Sequence, residues 1–311
     1  MANTMKFWLI ILLFTALGVT QRCAAQNTSE QFPLAALAPD VLSPSSLPPP
    51  PIAKITPERE VSWRLLLPNL LKDQKPIWMF PISVARGHHL KPTLAVLGIT
   101  AGLIALDETN MKYFQKTKSF NGFNNVFSGY NTSTAMEVFP AVFYAIGLMR
   151  KDTYAQHTVL LAGEAVLDSE ILTTVLKDID RRYRPISVPP NGDLSASWFK
   201  QTQGSYLGGV GSFPSGHTIA AFSIATVFAE RYPNPRWHVW VAYGLASVVG
   251  FSRVSLQSHF PSDVFAGAAL GYVIAHYVVL RPRRTSFADD IPSPAFEPLV
   301  QTGGASTSPQ N

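Results

Sequence analysis

The sequence contains little cysteine and few charged residues, and each scarcity excludes a class of protein. Cys23 is the single cysteine among 311 residues, which excludes disulfide frameworks, zinc ribbons and cysteine-ligated clusters. Charged residues make up only 14%, about half the usual share, and the net charge is +5. A surplus this small does not supply the basic stripe that a nucleic-acid binder needs. Apolar residues reach 47%, which excludes a disordered chain.

Residues 1–25 are typical of an export signal peptide. Lys6 precedes the apolar run 8–19, and a polar break then leads to Cys23-Ala24-Ala25. Small residues at positions −3 and −1 before Gln26 fit cleavage by signal peptidase. The run of twelve residues is too short to span a bilayer. We therefore predict an exported protein, periplasmic or in the cell envelope, with an uncleaved anchor as the alternative.

The remainder of the chain divides into a linker, a helical domain and a tail. Residues 26–58 include four consecutive prolines and are predicted to be an extended Pro-rich linker. Residues 285–311 are rich in Ser, Pro, Thr and Gly and are predicted to be a disordered tail. Between them, residues 59–284 carry apolar blocks at helical spacing, which predicts an all-α bundle of about six core helices. The expected helices lie near 59–72, 92–106, 134–150, 156–183, 216–231, 236–250 and 262–280.

Several of these helices are apolar enough to be compared with membrane spans. Most runs are too short, since residues 93–106 number fourteen, and only residues 264–280 approach bilayer length. If six membrane spans followed an export signal, the polar loops would also lie in the cytoplasm, which is not expected of an exported protein. We therefore predict a buried-helix bundle, soluble or associated with a membrane surface, with an integral membrane protein as the alternative.

The first of three polar motifs, residues 177–185, places two cations at the end of a predicted helix. Lys177 and Arg184 are seven residues apart, about two helical turns, so both face the same direction. Pro185 disfavours helix at Arg184 and ends the element there. Two such cations can clamp an anion, and a guanidinium can bind phosphate oxygens in pairs. The alternative is a basic helix end that faces solvent.

The second motif, residues 211–218, is a Ser/Gly-rich turn that leads into an apolar helix. Such a turn presents free backbone N–H groups and the positive end of the helix dipole to an anion. Gly216 allows close approach to the backbone, and Ser215 adds a hydroxyl donor. His217 lies in the first turn, where it can deliver a proton to a bound group. The alternative is a capped helix start with an incidental histidine.

The third motif, residues 252–263, opens the last predicted helix. His259 and Asp263 are four residues apart, within reach of each other if Pro261 occupies the first turn. A carboxylate on one imidazole nitrogen fixes the tautomer and leaves the other nitrogen free to attack. Arg253 adds a third permanent cation. The alternative is a histidine–aspartate capping pair.

The three motifs in this order resemble the signature of the type 2 phosphatidic acid phosphatase and vanadium haloperoxidase superfamily. They read Lys-x6-Arg-Pro, Pro-Ser-Gly-His and Ser-Arg-x5-His-x3-Asp, and they span about residues 155–280. The resemblance implies a helical phosphatase domain in which His259 attacks phosphorus, Asp263 orients it, and His217 protonates the leaving oxygen and then activates water. It also implies that the phosphoryl oxygens are held by Lys177, Arg184, Ser215, Gly216 and Arg253.

Together with the export signal, the resemblance implies an exported, metal-independent phosphatase that needs no cofactor and is inhibited by vanadate. Its substrate would be a soluble phosphomonoester, as in secreted acid phosphatases, or a lipid phosphate or pyrophosphate. The stretch from His259 to Val264 resembles the lipid-phosphatase branch of the family more closely. The alternatives are a vanadium haloperoxidase, a phosphotransferase and a non-catalytic envelope protein that binds anions. The loop 186–213 is a candidate cover for the substrate through Trp198.

Overall fold

The computed structural model describes residues 59–188, 192–201, 204 and 208–281. The export signal, the Pro-rich linker and the tail at 285–311 lie outside these residues and stay predictions. The described residues form helices joined by turns, without a strand, which confirms the all-α class.

Eight α-helices follow one another through the described part of the chain. They are α1 (Leu66–Ala85), α2 (Leu90–Lys116), α3 (Asn121–Val126), α4 (Gly129–Met149), α5 (Thr153–Asp180), α6 (Gly216–Arg231), α7 (Trp237–Ser255) and α8 (Pro261–Val273). Short 3₁₀ turns form at Pro185–Ser187 and Ser195–Ser197. After α8 the chain continues as a π-helical segment, Ile274–Val279.

The first helices differ most from the sequence-based expectation. α1 begins at Leu66 and continues through Pro76 and Pro81, whereas we expected a helix near 59–72. α2 extends ten residues beyond the expected end at 106, because Asp107 is buried on the helix rather than ending it. α3 lies between the helices expected near 92–106 and 134–150, where the sequence predicts no helix. From α5 onward, each helix begins within three residues of its expected position, although α7 continues to Ser255, beyond the expected end at 250. α5 ends at Asp180, so Arg184 lies beyond the helix and not two helical turns from Lys177 as expected.

α6 lies at the centre of the bundle and packs against α5, α7 and α8. Small residues on α8 allow this close packing: a Cβ atom at Gly267 would lie 2.9 Å from the Ser215 carbonyl oxygen. Gly250 on α7 is similarly close to α8, since a Cβ atom there would lie 3.0 Å from Val264. The start of α8 is therefore held directly against the start of α6, where two of the three motifs lie.

Within the described part of the chain, three helices have the length and composition to cross a membrane: α2, α4, and α8 with its π-helical continuation. Only 11% of the apolar window of α2 and 17% of that of α4 are buried within the bundle. α2 instead exposes large apolar side chains, among them Leu94, Leu97 and Leu106. These are the features of a membrane protein. The expectation of a soluble or peripheral bundle is therefore corrected in favour of its alternative, because the fourteen-residue run is part of a 27-residue helix.

Candidate active site

The three motifs meet at one end of the bundle. α5 and α7 end there, and α6 and α8 begin there. Lys177 lies in the last turn of α5 and Arg253 in that of α7, while His217 and Asp263 lie in the first turns of α6 and α8. The Ser215 amide donates to the Asp263 carbonyl at 3.1 Å, which joins the second motif to the third. All eight residues selected from the sequence therefore lie at this end of the bundle. We call this group of residues the cage.

His259 is buried at the centre of the cage, with one ring nitrogen engaged by the backbone. Its Nδ1 lies 2.7 Å from the carbonyl oxygen of Ser212. A carbonyl only accepts, so Nδ1 carries the proton and Nε2 keeps its lone pair. Burial lowers the pKa of His259, and Asp263 opposes that shift. The ring thus keeps a lone pair on Nε2.

Asp263 holds His259 less directly than the sequence suggested. Its Oδ2 lies 3.6 Å from His259 Nδ1, which is too long for a good hydrogen bond. The same oxygen accepts from the Ser212 hydroxyl at 2.6 Å and from the Phe260 amide at 2.8 Å. The carboxylate therefore fixes Ser212, and the Ser212 carbonyl fixes the imidazole. Ser212 lies within the second motif, but its spacing gave no signal of this contact.

Arg182 was not selected from the sequence, yet it is the most connected cation at this end. Its guanidinium donates to Asp263 Oδ1 at 2.6 Å, to Ser262 Oγ at 2.9 Å and to Asp107 Oδ2 at 2.7 Å. All these groups are buried. The only sequence signal was Asp107 itself, a carboxylate at the end of a long apolar run.

Two aromatic rings enclose the same guanidinium. The Arg182 carbon Cζ lies 3.8 Å from the ring centre of Phe260 and 4.3 Å from that of Trp198. Stacking of this kind stabilises a desolvated cation. Trp198, the candidate cover for the substrate, is thus engaged with Arg182 and with Phe213.

Lys177 and Arg184 have side chains without a hydrogen bond or ion pair to any described residue. Lys177 is nevertheless 8% exposed, and burial lowers its pKa, with Arg184 lowering it further. Burial also lowers the pKa of Arg184. The charges of Glu170, Asp180 and Asp263 oppose the shift at Lys177, but none of these carboxylates forms an ion pair with it. An enclosed cation without a direct partner is costly, and a bound anion would reduce that cost. The two side chains therefore indicate an anion site.

Arg253, the third predicted cation, is held in place by the protein. Its Nη2 donates to the Phe127 carbonyl at 2.8 Å and to Ser252 Oγ at 2.8 Å. Burial lowers its pKa to about 10, and the positive charge of Arg184 adds to the shift. The guanidinium remains charged at neutral pH and has a fixed orientation.

The start of α6 offers further donors beside Lys177. Ser215 caps this helix without bonding its backbone, and its Oγ accepts from Thr218 Oγ1 at 2.9 Å. Its own hydroxyl proton and the first amides of α6 are therefore available to a ligand. A Cβ atom at Gly216 would lie 3.5 Å from Lys177 Nζ, so the glycine and the ammonium line the same space.

His217 occupies the other side of the cage, and its Nε2 lies 2.8 Å from the hydroxyl of Ser133 on α4. Burial lowers the pKa of His217 to about 4, and the positive charges of Arg253 and Lys177 contribute. The imidazole is therefore neutral at pH 7. It becomes a proton donor only when an anion offsets those cations.

Binding of a tetrahedral dianion is expected to load a proton onto His217. Its pKa of about 4 rises when the charges of Arg253 and Lys177 are neutralised, so protons are taken up between about pH 4 and the ordinary value near 6.5. Sulfate is the suitable probe, because it does not titrate in this range. Calorimetry at about pH 5.5 in buffers of different ionisation enthalpy should give uptake of between about half and one proton per site. His217→Asn should abolish the uptake, and an unchanged uptake in that variant would contradict the assignment.

An apolar cleft begins directly beside the cage. It has a volume of about 350 Å³ and lies between α4, α6 and α7. Phe127, whose carbonyl binds Arg253, lines its near end, and Ala221 lines it one turn after His217. From Thr132 to Phe143 the cleft follows α4 for about 16 Å. Its far end reaches Tyr232 and Trp237.

Comparisons with known proteins agree on one family. Residues 156–286 match the model of the PAP2 superfamily. The bacitracin transport permease protein BcrC of Bacillus licheniformis is 31% identical over 149 residues, which cover 47% of this chain and 68% of that protein. The lipid A 4′-phosphatase of Porphyromonas gingivalis is 28% identical, over 35% of this chain and 44% of the enzyme. The chain thus spans less than half of that second relative.

A solved structure was also found. It is the transmembrane PAP2 type phosphatidylglycerolphosphate phosphatase from Bacillus subtilis, with 21% sequence identity and a TM-score of 0.35. The alignment covers 73% of this chain and 99% of that one.

Proposed function

Because the chain belongs to the PAP2 superfamily, we propose that it is a phosphatase that removes phosphate from a membrane lipid through a phosphohistidine at His259. The hydrogen bond from His259 Nδ1 to the Ser212 carbonyl carries this proposal, because it leaves the Nε2 lone pair free. The charges of Lys177 and Arg184 lie close enough to lower the pKa of that ring. A nucleophile beside two unpaired cations suits attack on a phosphoryl group.

The reaction proceeds in two displacements. His259 Nε2 forms a bond to phosphorus as the bond to the leaving oxygen breaks, and a proton from His217 reaches that oxygen. Water then attacks the phosphohistidine, gives a proton back to His217 and releases phosphate. Lys177, Arg184, Arg253 and the donors at the start of α6 stabilise the charge on the equatorial oxygens in both steps.

The cleft between α4, α6 and α7 favours a lipid substrate over a soluble ester. It is lined almost entirely by apolar side chains and begins at the cage, so a phosphoryl group in the cage would place an attached chain in the cleft. The lipid A 4′-phosphatase among the relatives acts, by its name, on a phosphorylated lipid. Lipid phosphates are therefore the substrate class we propose.

Activity should depend on the lipid chain and not on a metal ion. With the chain in the cleft, kcat/KM for phosphatidic acid should exceed that for p-nitrophenyl phosphate at least about tenfold. Both activities should survive EDTA and be inhibited by vanadate. Ala242→Trp should fill the cleft and lower lipid turnover alone, whereas Ser247→Trp, on the exposed face of α7, serves as the matched control.

Each arm of this experiment can fail separately. Loss of both activities in EDTA would refute the metal-free mechanism. Equal kcat/KM for the two substrates, or equal effects of the two tryptophan variants, would refute the lipid assignment while leaving the phosphatase intact.

A further inference from the structure

Ser133 is the one side chain among the described residues that forms a hydrogen bond with the ring of His217. Its Oγ lies 2.8 Å from His217 Nε2. Ser133 comes from the first turns of α4, 84 residues earlier in the chain, and none of the three motifs includes it. His217 is expected to protonate the leaving oxygen, and its Nε2 is already in hydrogen-bond contact with the Ser133 hydroxyl.

Ser133 also lies at the boundary between the cage and the cleft. Its neighbour Thr132 and the following Ala135 line the cleft. Gly129, one turn earlier, lies beside the cage, since a Cβ atom there would be 3.5 Å from Arg253 Nη1. In a lipid phosphate, the ester oxygen joins the phosphoryl group to the lipid portion. With those two parts in the cage and the cleft, the ester oxygen lies at this same boundary.

We propose that the Ser133 hydroxyl relays the proton between His217 and the leaving oxygen of the lipid. The inference rests on the proposed function, because it needs a phosphoryl group in the cage and a chain in the cleft. A hydroxyl is suited to this task, since it accepts one proton while it donates another.

Protons and bonds balance in both displacements of the relay. As His259 Nε2 bonds to phosphorus and the ester bond breaks, protonated His217 gives its Nε2 proton to Ser133 Oγ. The proton that Ser133 held passes to the leaving oxygen, so the alcohol departs neutral and His217 becomes neutral. When water attacks the phosphohistidine, its proton passes to Ser133 Oγ and the Ser133 proton passes to His217. The ring is again protonated, and His259 is released neutral.

The experiment compares leaving groups that do and do not need a proton. An alkyl phosphate has a poor leaving group, whereas p-nitrophenolate departs without protonation. kcat/KM reports the first displacement, so Ser133→Ala should lower it about 100-fold for the alkyl ester and less than about threefold for p-nitrophenyl phosphate. Ser133→Thr keeps the hydroxyl and should restore most of the alkyl activity. Thr134→Ala is the control, since among the described residues that hydroxyl bonds only the Tyr130 carbonyl.

Three results would overturn the relay. Equal losses on both esters would mean that Ser133 only holds His217 in place, and no loss on either would mean that it is dispensable. A failure of Ser133→Thr to recover any alkyl activity would show that the hydroxyl is not the active group. Sulfate affinity of each variant reports whether the cage is intact. The proposed function is tested separately by His259→Ala, which should be inactive on both esters.

Discussion

Replacing His259 with alanine is expected to lower kcat by about 10⁴-fold or more, because it removes the atom that forms the covalent intermediate. The cations of the cage do not depend on the imidazole, so sulfate should still bind within about tenfold of its original affinity. Steady-state turnover of a lipid phosphate and calorimetric titration with sulfate measure the two quantities. Loss of turnover with retained binding is the signature of a missing nucleophile.

His157→Ala is the matched control for this change. His157 lies on α5 near the opposite end of the bundle from the cage. Its removal should leave kcat within about twofold. Retention of a tenth or more of the activity by His259→Ala would identify a different nucleophile, and a complete loss of sulfate binding would show that the ring has a structural role.

Replacing Arg182 with lysine is expected to destabilise the fold by about 3–5 kcal/mol, because two buried carboxylates lose their shared partner. The planar guanidinium reaches Asp107 and Asp263 at once, at 2.7 and 2.6 Å. A lysine ammonium is a single point charge and cannot bridge both. The midpoint of thermal unfolding in detergent should fall by roughly 10 °C or more. Turnover should fall as well, since Asp263 holds Ser212 and thereby His259.

The neighbouring arginine provides the control for that variant. Arg181 is half-buried, and its guanidinium donates to the Gly204 carbonyl at 3.4 Å in an exposed position. Arg181→Lys should shift the unfolding midpoint by no more than about 2 °C. If both lysine variants shift the midpoint equally, the buried network does not carry the stability assigned to it.

The residues that sequence reasoning identified are those whose position is marked by a local backbone signal. Gly216 opens α6 and Pro261 opens α8, as expected, whereas α5 ends at Asp180 and not at Arg184 before Pro185. The first two signals each fix a helix end, and functional side chains at helix ends converge when the helices pack antiparallel. The candidate site could therefore be predicted without knowledge of the packing.

The residues that sequence reasoning missed are those whose partners lie far away in the sequence, on other helices of the bundle. Ser133 meets His217 over 84 residues, and Arg182 meets Asp107 over 75. Neither pair has a spacing that any local rule recognises. Asp107 also lies at the point where the expected helix 92–106 and the observed α2 differ. It is paired with Arg182, so the helix continues through it to Lys116.

The covalent intermediate can be trapped most directly in a His217→Ala variant. p-Nitrophenyl phosphate carrying radiolabelled phosphate phosphorylates the enzyme without needing an acid, whereas hydrolysis of the intermediate lacks its base. After an alkaline quench, which preserves phosphohistidine, peptide mapping should find a single labelled residue at position 259, approaching one phosphate per protein. Label on another residue, or release of p-nitrophenol with no label on the protein at any time, would contradict the phosphohistidine mechanism.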